Sequence, residues 1–277
     1  MRELIESMVE KSKEEIPQVA GDYIKDGILY CGKCDTPKQG IFHFPWGEMR
    51  PRVLCKCESE RRRKMDAEKE ALAKKLFISE IRQNAFPQRE MAGWTFDVDD
   101  HGNGRITTIA KRYVEHFDEM RENGKGLLFF GDVGTGKTFY AACIVNALID
   151  SAKPCLMTDF SRLTHTINGM ISGKQEYIDS LNEYALLVID DLSAERDTEY
   201  MGEIVYNIIN GRYGAGLPII VTTNLTAEEI KSPKDMRKKR IYSRLLEMCI
   251  PVEVKGNDRR REKLKSDFSE YKDILGI

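Results

Sequence analysis

The chain has 277 residues, of which 41% are hydrophobic and 32% charged, with a formal net charge of −2; it can fill a sizeable core and is not a disordered polymer. Acids and bases balance, so no global basic excess points to nucleic acid, and any such contact must come from a local patch. No apolar run approaches a membrane-spanning length, and the N-terminal "MRELIESMVEKSKEE" is acidic and amphipathic rather than a signal peptide. This predicts a soluble cytoplasmic protein whose seven cysteines stay reduced.

In chain order, the opening stretch reads as an amphipathic helix. Four cysteines then cluster, set apart from Cys143, Cys155 and Cys249, whose apolar surroundings mark them as small core residues. Cys31 and Cys34 form C-x-x-C, and Cys55 and Cys57 form C-x-C after a gap of 20 residues. Two close pairs flanking such a loop suit tetrahedral Zn²⁺, structural because protein fills every position. His43, inside the loop, can replace Cys55 or Cys57, so a Cys₃His site is the alternative to Cys₄. The aromatic loop "IFHFPW" (Phe42, Phe44, Trp46) either packs inside this module or stays exposed. "ESERRRKMDAEKEALAKKLFISEIRQ" reads as an exposed or linking helix with a thin apolar face at Leu72, Leu76 and Ile78. Pro87 interrupts it, and the chain is expected to divide into a helical, zinc-binding module over 1–85 and a main domain over 86–277.

"MAGWTFDVDDHGNG" follows as an irregular segment. From about residue 105 helix and strand alternate. The strands are "GLLFFG", "KPCLMTD", "ALLVIDD", "LPIIVTTN" and "CIPVEV". The helices are "ITTIAKRYVEHFDEMREN", "TFYAACIVNALID", "SRLTHTINGMISGKQEYIDSLNEY" in two pieces, "TEYMGEIVYNIINGRYGAG" and "KRIYSRLLEM". Five apolar strands alternating with helices predict a parallel sheet covered on both faces.

"GDVGTGKT" (Gly131, Asp132, Val133, Gly134, Thr135, Gly136, Lys137, Thr138) fits G-x-x-x-x-G-K-[ST] between a strand and a helix, the context this phosphate-binding loop requires. Its glycines let backbone N–H groups curl around phosphate, and the helix N-terminus adds its positive end. Lys137 is expected to reach the β- and γ-phosphates of ATP and Thr138 to ligate Mg²⁺. Asp190 closes the strand "LLVID" and can hold Mg²⁺ through water, while Asp191 can polarise a water for attack on the γ-phosphate. Asn224, ending "IIVTTN", can orient that water. In "KRIYSRLLEM", Ile241, Leu245 and Met248 share an apolar face and leave Arg240 and Arg244 on another, with Glu247 in reach of Arg244. "KSPKDMRKKR" and "KGNDRRREKLK" concentrate cations, either as a solvated face or as contacts to DNA or to ATP. No Ser/His/Asp constellation suggests covalent catalysis.

Together the phosphate loop, "LLVIDDLSAERDTEY", "IIVTTN" and "RIYSRLLEM" resemble the AAA+ ATPases, and more narrowly the DnaC-type replicative helicase loaders, over roughly residues 90–260; "YCGKCDTPKQ…CKC" is similar to the cysteine module of such loaders. The resemblance implies a sheet of order 5-1-4-3-2 and self-association into a ring or spiral with ATP at each interface. Asn224 becomes sensor 1, and Arg244, with Arg240 beside it, the arginine finger that enters a neighbouring subunit's site. The helical segment within 161–184 faces single-stranded DNA, and the N-terminal module grips a replicative DNA helicase. The chain departs from the wider pattern in having Asp190-Asp191 where Asp-Glu is usual. That suggests slow turnover, with Glu195 a fallback. A sensor 2 arginine is not fixed among Arg259, Arg260 and Arg261. The resulting expectation is an ATP-dependent helicase loader. An IstB-type transposition-associated ATPase and an ATP-gated adaptor with little hydrolysis are the alternatives.

Overall fold

The structure is a computed structural model that describes residues 19–45, 47–99, 104–192, 199–233, 235–259, 268, 271–272 and 275–276. The expected N-terminal helix, Trp46, Glu195, Arg260 and Arg261 lie outside the described residues. The chain falls into two units, Met1–Lys75 and Leu76–Ile277.

The first unit carries two antiparallel hairpins, β1 (Tyr23–Lys25) with β2 (Ile28–Tyr30) and β3 (Phe42–Phe44) with β4 (Gly47–Met49). Asp26 and Gly27 both have positive φ, 51° and 72°, which is the type I′ turn that Asp-Gly favours. "YIKDGILY" therefore carries a hairpin signal that the cysteine reading passes over. Phe42 and Phe44 are exposed, so these two aromatics of the loop lie at the surface. Helix α1 (Lys56–Asn84) starts directly after Cys55 and buries none of its residues. Its Lys, Glu, Arg, Ala and Leu content sustains the exposed part up to Lys75 by propensity; from Leu76 on the helix belongs to the second unit, where Ile78 and Ile81 are partly buried against the core.

In the second unit, α2 (Gly104–Glu115) and α3 (Phe117–Glu122) occupy the stretch expected as one helix, broken at His116. There follow β5 (Gly126–Phe130), α4 (Lys137–Asp150), β6 (Cys155–Asp159), α5 (Phe160–Gly169), α6 (Lys174–Ser180), β7 (Leu186–Asp190), α7 (Glu199–Gly214), β8 (Ile219–Thr223), α8 (Ala227–Lys231), α9 (Met236–Met248) and β9 (Cys249–Glu253). The strands form one sheet in the order β6-β7-β8-β5-β9, and every neighbouring pair is parallel. Numbered from the first of the five, that is the expected 5-1-4-3-2 order, with β8 between the phosphate-loop strand and the Asp190 strand.

Alternation of side chains along each strand builds two cores. Leu127, Phe129, Leu186, Val188 and Ile220 pack with α2 and α4 residues such as Ile106, Ala141 and Leu148. Leu128, Leu187, Ile189, Ile219 and Val221 pack on the other side with Leu163, Ile208, Ile241, Leu245 and Met248. The three apolar residues read from "KRIYSRLLEM" are thus in the core. Pro251 sits in β9, an edge strand, where its missing N–H costs no ladder bond on the outer side.

Arg212, near the end of α7, is fully buried. Its guanidinium donates to the carbonyl oxygens of Leu181, Tyr184, Ala185 and Pro218 at 3.1, 2.8, 3.5 and 2.5 Å, tying together the entrances of β7 and β8. Burial lowers its pKa to about 10, still far above neutrality.

Candidate functional site

The carboxyl ends of β5, β7 and β8 meet at one cleft of about 620 Å³. The phosphate loop leaves β5 after Phe130 and enters α4 at Lys137. Gly131 has φ +127°, and a Cβ there would lie 2.7 Å from the Val254 carbonyl oxygen; Gly134 has φ +80°, and its Cβ would meet the Asp258 carboxylate. Only glycine fits both positions. Lys137 is nearly buried, and its Nζ donates to the Gly131 and Asp132 carbonyl oxygens at 2.9 and 2.6 Å. Thr135 Oγ1 donates to the Asp132 carbonyl at 2.9 Å, bracing the loop from inside, while Val133 is exposed at its crest.

Lys137, Thr138, Asp190, Asp191, Thr222 and Asn224 line one part of the cleft. Thr222 is the link between the strands. Its hydroxyl donates to Asp190 Oδ1 at 2.6 Å and accepts the Asp191 N–H at 2.9 Å. Asp191 leaves the strand with φ 54°, an uncommon conformation that Asp tolerates better than most residues. Asn224 Nδ2 donates to Asp191 Oδ1 at 2.8 Å. Burial raises the pKa of Asp190; the Thr222 and Thr138 hydroxyls oppose this, and Asp191 and Asp159 add to it. Such a buried carboxylate beside other acids is a receptive partner for a cation.

The cleft's remaining wall has a different character: Gln88, Glu90, Met91, Trp94, Val133 and Phe139. Arg259 also lines it, with its N–H bonded to the Gly134 carbonyl at 3.1 Å and its Nη2 at 3.4 Å from the Tyr140 hydroxyl. Of the three adjacent arginines, this is the one the structure describes at the phosphate loop. Arg244 is not among the lining residues. Its guanidinium stacks 4.2 Å over the Tyr213 ring and reaches Glu247 at 3.4 Å, and Arg240 stacks 4.2 Å over Tyr206. The two arginines thus lie on α7 rather than free in solvent. Between α5 and α6, Ile171 is fully exposed.

In the first unit the sulfurs of Cys31, Cys34, Cys55 and Cys57 all lie within 4.8 Å of one another. Cys57 Sγ is 3.5 Å from Cys31 Sγ and 3.4 Å from Cys55 Sγ. A tetrahedral zinc with Zn–S of about 2.3 Å sets sulfurs about 3.8 Å apart, so the four fit that ion. The Thr36 hydroxyl, 3.0 Å away, holds the Cys34 thiol down to about 6, while hydrogen bonding with Cys55 pushes Cys57 up to about 12. Lys38, nearly buried and 2.5 Å from Asp22, is kept charged chiefly by that carboxylate, with Cys31 and Cys55 contributing. The His43 side chain is exposed, 3.6 Å from Glu48, and is not one of the grouped ligands.

Sequence reasoning passed over Thr222 and Asn146. The hydroxyl pair in "VTTN" beside an acidic strand end was a usable signal for the first. A lone amide in the apolar helix "AACIVNALID" was one for the second.

A parallel sheet of order 5-1-4-3-2, with a phosphate loop after its second strand, a polar amide after the third and an acidic pair at the end of the fourth, defines a nucleotide-binding AAA+ fold. The family model described as "IstB-like ATP binding protein" matches residues 64–267. The chain belongs to this ATP-binding family. Among curated relatives it is 23% identical over 216 residues to "Replicative helicase loader DnaI" of Bacillus subtilis (strain 168), covering 72% of this chain and 66% of that protein. It is 28% identical over 139 residues to "Replicative helicase loader DnaC" of Escherichia coli (strain K12), covering 49% of this chain and 56% of that protein. The chain therefore spans less than two thirds of these relatives. Of solved structures, "Crystal Structure of the DnaI" superposes with a TM-score of 0.53 at 25% identity, over 65% of this chain and 98% of that one. "Crystal structure of the DnaC helicase loader" gives 0.51 at 24%, over 61% and 100%, and supports the fold. Among the described residues, no helix is long and apolar enough to cross a membrane.

Proposed function

We propose that the chain is an ATP-hydrolysing loader that places a replicative DNA helicase on single-stranded DNA in the cytoplasm, working as a ring or spiral of its own copies. The observation that carries this reading is the meeting of Lys137, Asp190, Asp191 and Asn224 in one cleft, in a chain whose relatives bear the name replicative helicase loader.

In this reading the loop backbone and Lys137 hold the β- and γ-phosphates. Thr138 and Asp190 hold Mg²⁺, which when bound neutralises phosphate charge. Asp191 accepts a hydrogen bond from the attacking water, and Asn224, already bonded to Asp191, fixes its approach. Arg259 answers phosphate charge within the subunit, and Arg244 does so from a neighbour. Cys31, Cys34, Cys55 and Cys57 hold a structural Zn²⁺ that folds the first unit, whose exposed Phe42 and Phe44 suit a protein partner. The segment around Ile171 and the described basic residues of α9 serve single-stranded DNA. The domain division supports this assignment of partners, since nucleotide and zinc residues fall in separate units.

The test is steady-state ATPase with and without single-stranded DNA, alongside capture of a replicative helicase on immobilised protein. Hydrolysis that Lys137→Ala abolishes, together with helicase capture, is the expected result. Capture without hydrolysis makes the chain an adaptor. Hydrolysis without capture moves the reading to a transposition-type ATPase.

A further inference from the structure

Helix α4 begins with the phosphate-binding Lys137 and is otherwise apolar inward, yet Asn146 lies in its middle with 1% of its surface exposed. A buried amide is retained only where its donors and acceptor are satisfied. Three carbonyl oxygens surround Asn146 Nδ2: Met91 at 2.8 Å, Trp94 at 2.9 Å and Ala142 of its own helix at 3.1 Å. Its Oδ1 accepts from Arg82 Nη1 at 2.6 Å, and the other arm of that guanidinium holds Asp150 at 2.5 Å. Arg82 thereby fixes which way round the amide sits.

The two carbonyls outside the helix belong to the middle and the C-cap of one short segment. Residues Arg89–Gly93 form a short 3₁₀ segment closed by bonds from Met91 N–H to Gln88 and from Trp94 N–H to Met91, at 3.2 and 3.1 Å. Such a turn is weakly self-supporting. Asn146 ties it to α4, and Trp94 packs against Phe139 of the same helix with centroids 6.0 Å apart. Gln88, Glu90, Met91 and Trp94 are the residues of this turn that face the nucleotide cleft. With phosphates held at the loop, an apolar Met and Trp beside an amide and a carboxylate form a wall suited to a flat base with an amino edge.

We infer that Asn146, oriented by Arg82, is a positioning residue that sets this turn as the base-recognising wall and so governs the preference for adenine. Asn146 touches no nucleotide itself. Asn146 stands nine positions after Lys137 on one helix, so about 13 Å of rigid α-helix fixes the wall's place relative to the phosphate loop. The inference rests on the reading of the cleft as an ATP site.

The test is calorimetric titration of the full chain with ATP and with UTP, for wild type, Asn146→Ala and Arg82→Ala. Wild type should prefer ATP. Asn146→Ala should weaken ATP about tenfold, the scale of one or two lost hydrogen bonds, and UTP less than about twofold. Arg82→Ala should act in the same direction by about threefold. A purely structural role would weaken both nucleotides by one common factor, and that result, an unchanged ATP affinity, or a wild type without base preference overturns the inference. Should Asn146→Ala fail to fold, the ATP-to-UTP ratio of Arg82→Ala decides, since Arg82 is partly exposed. A wild type that binds neither nucleotide fails the ATP-site reading instead, and is told apart on that ground.

Discussion

Replacing Thr222 by valine keeps the shape of a buried side chain and deletes one hydroxyl that two acidic residues share. The hydroxyl donates to the Asp190 carboxylate at 2.6 Å and accepts the Asp191 N–H at 2.9 Å. A hydrogen bond to a charged group contributes about 1.5–3 kcal/mol, and an orphaned backbone N–H costs about 1 kcal/mol, giving a loss of about 3 kcal/mol. At about 2–4 °C per kcal/mol for a unit of this size, Thr222→Val should melt roughly 6–12 °C below wild type. Thr222→Ser, which keeps the hydroxyl, should lose far less. Burial raises the pKa of Asp190 and Thr222 holds it down, so the hydrogen bond favours the ionised carboxylate. Its contribution is present above the folded pKa of Asp190 and is lost as pH falls through it. The melting deficit, followed by circular dichroism, should therefore be largest near pH 8 and shrink toward pH 4. A variant melting within about 2 °C of wild type, or with a deficit that ignores pH, would refute the argument that this hydroxyl organises the acidic pair.

Metal analysis of protein never exposed to chelator should find about one zinc per chain, and Cys31→Ser should lose it and unfold the first unit while nucleotide binding persists. Asp191→Asn and Arg244→Ala should each bind ATP and fail to hydrolyse it; mixed, they should regain part of the activity, because some interfaces then pair an intact cleft with an intact arginine. If the mixture co-assembles and stays inactive, Arg244 does not act across subunits. Arg212→Met strips donors from four carbonyl oxygens and should cost about 2–4 kcal/mol in denaturant unfolding, with Arg212→Lys recovering only a part.

Where one local rule governed a segment, the sequence was readable. Apolar runs such as "LLVID" and "IIVTT" became buried parallel strands because nothing but a doubly covered sheet accommodates them. The phosphate loop was legible because its glycine spacing is itself a backbone requirement. The strand order came from a resemblance, not from periodicity. What escaped was set by distant partners: Asn146 meets Arg82, 64 residues away in sequence, and no local pattern announces that pairing. Thr222 looked like ordinary strand composition until Asp190 was placed beside it. Helical phase sets Arg244 off the apolar face of its helix, but it cannot foresee that Tyr213 of a neighbouring helix lies 4.2 Å beneath the guanidinium. The hairpin at Asp26-Gly27, by contrast, is a local signal, since the Asp-Gly pair itself supplies the two positive φ values that its turn needs.

Arg212 ties the amino-terminal entrances of β7 and β8, whereas Asp190, Asp191 and Asn224 stand at the opposite, carboxyl-terminal ends of those strands. The sheet is therefore riveted at its base. A ligand arriving at the top cannot slide one strand along the other without stripping a guanidinium of its carbonyls in the dry interior. A signal from nucleotide bound at the top would then have to pass through the loops and side chains above the strands, with the central strands as a fixed anvil beneath them.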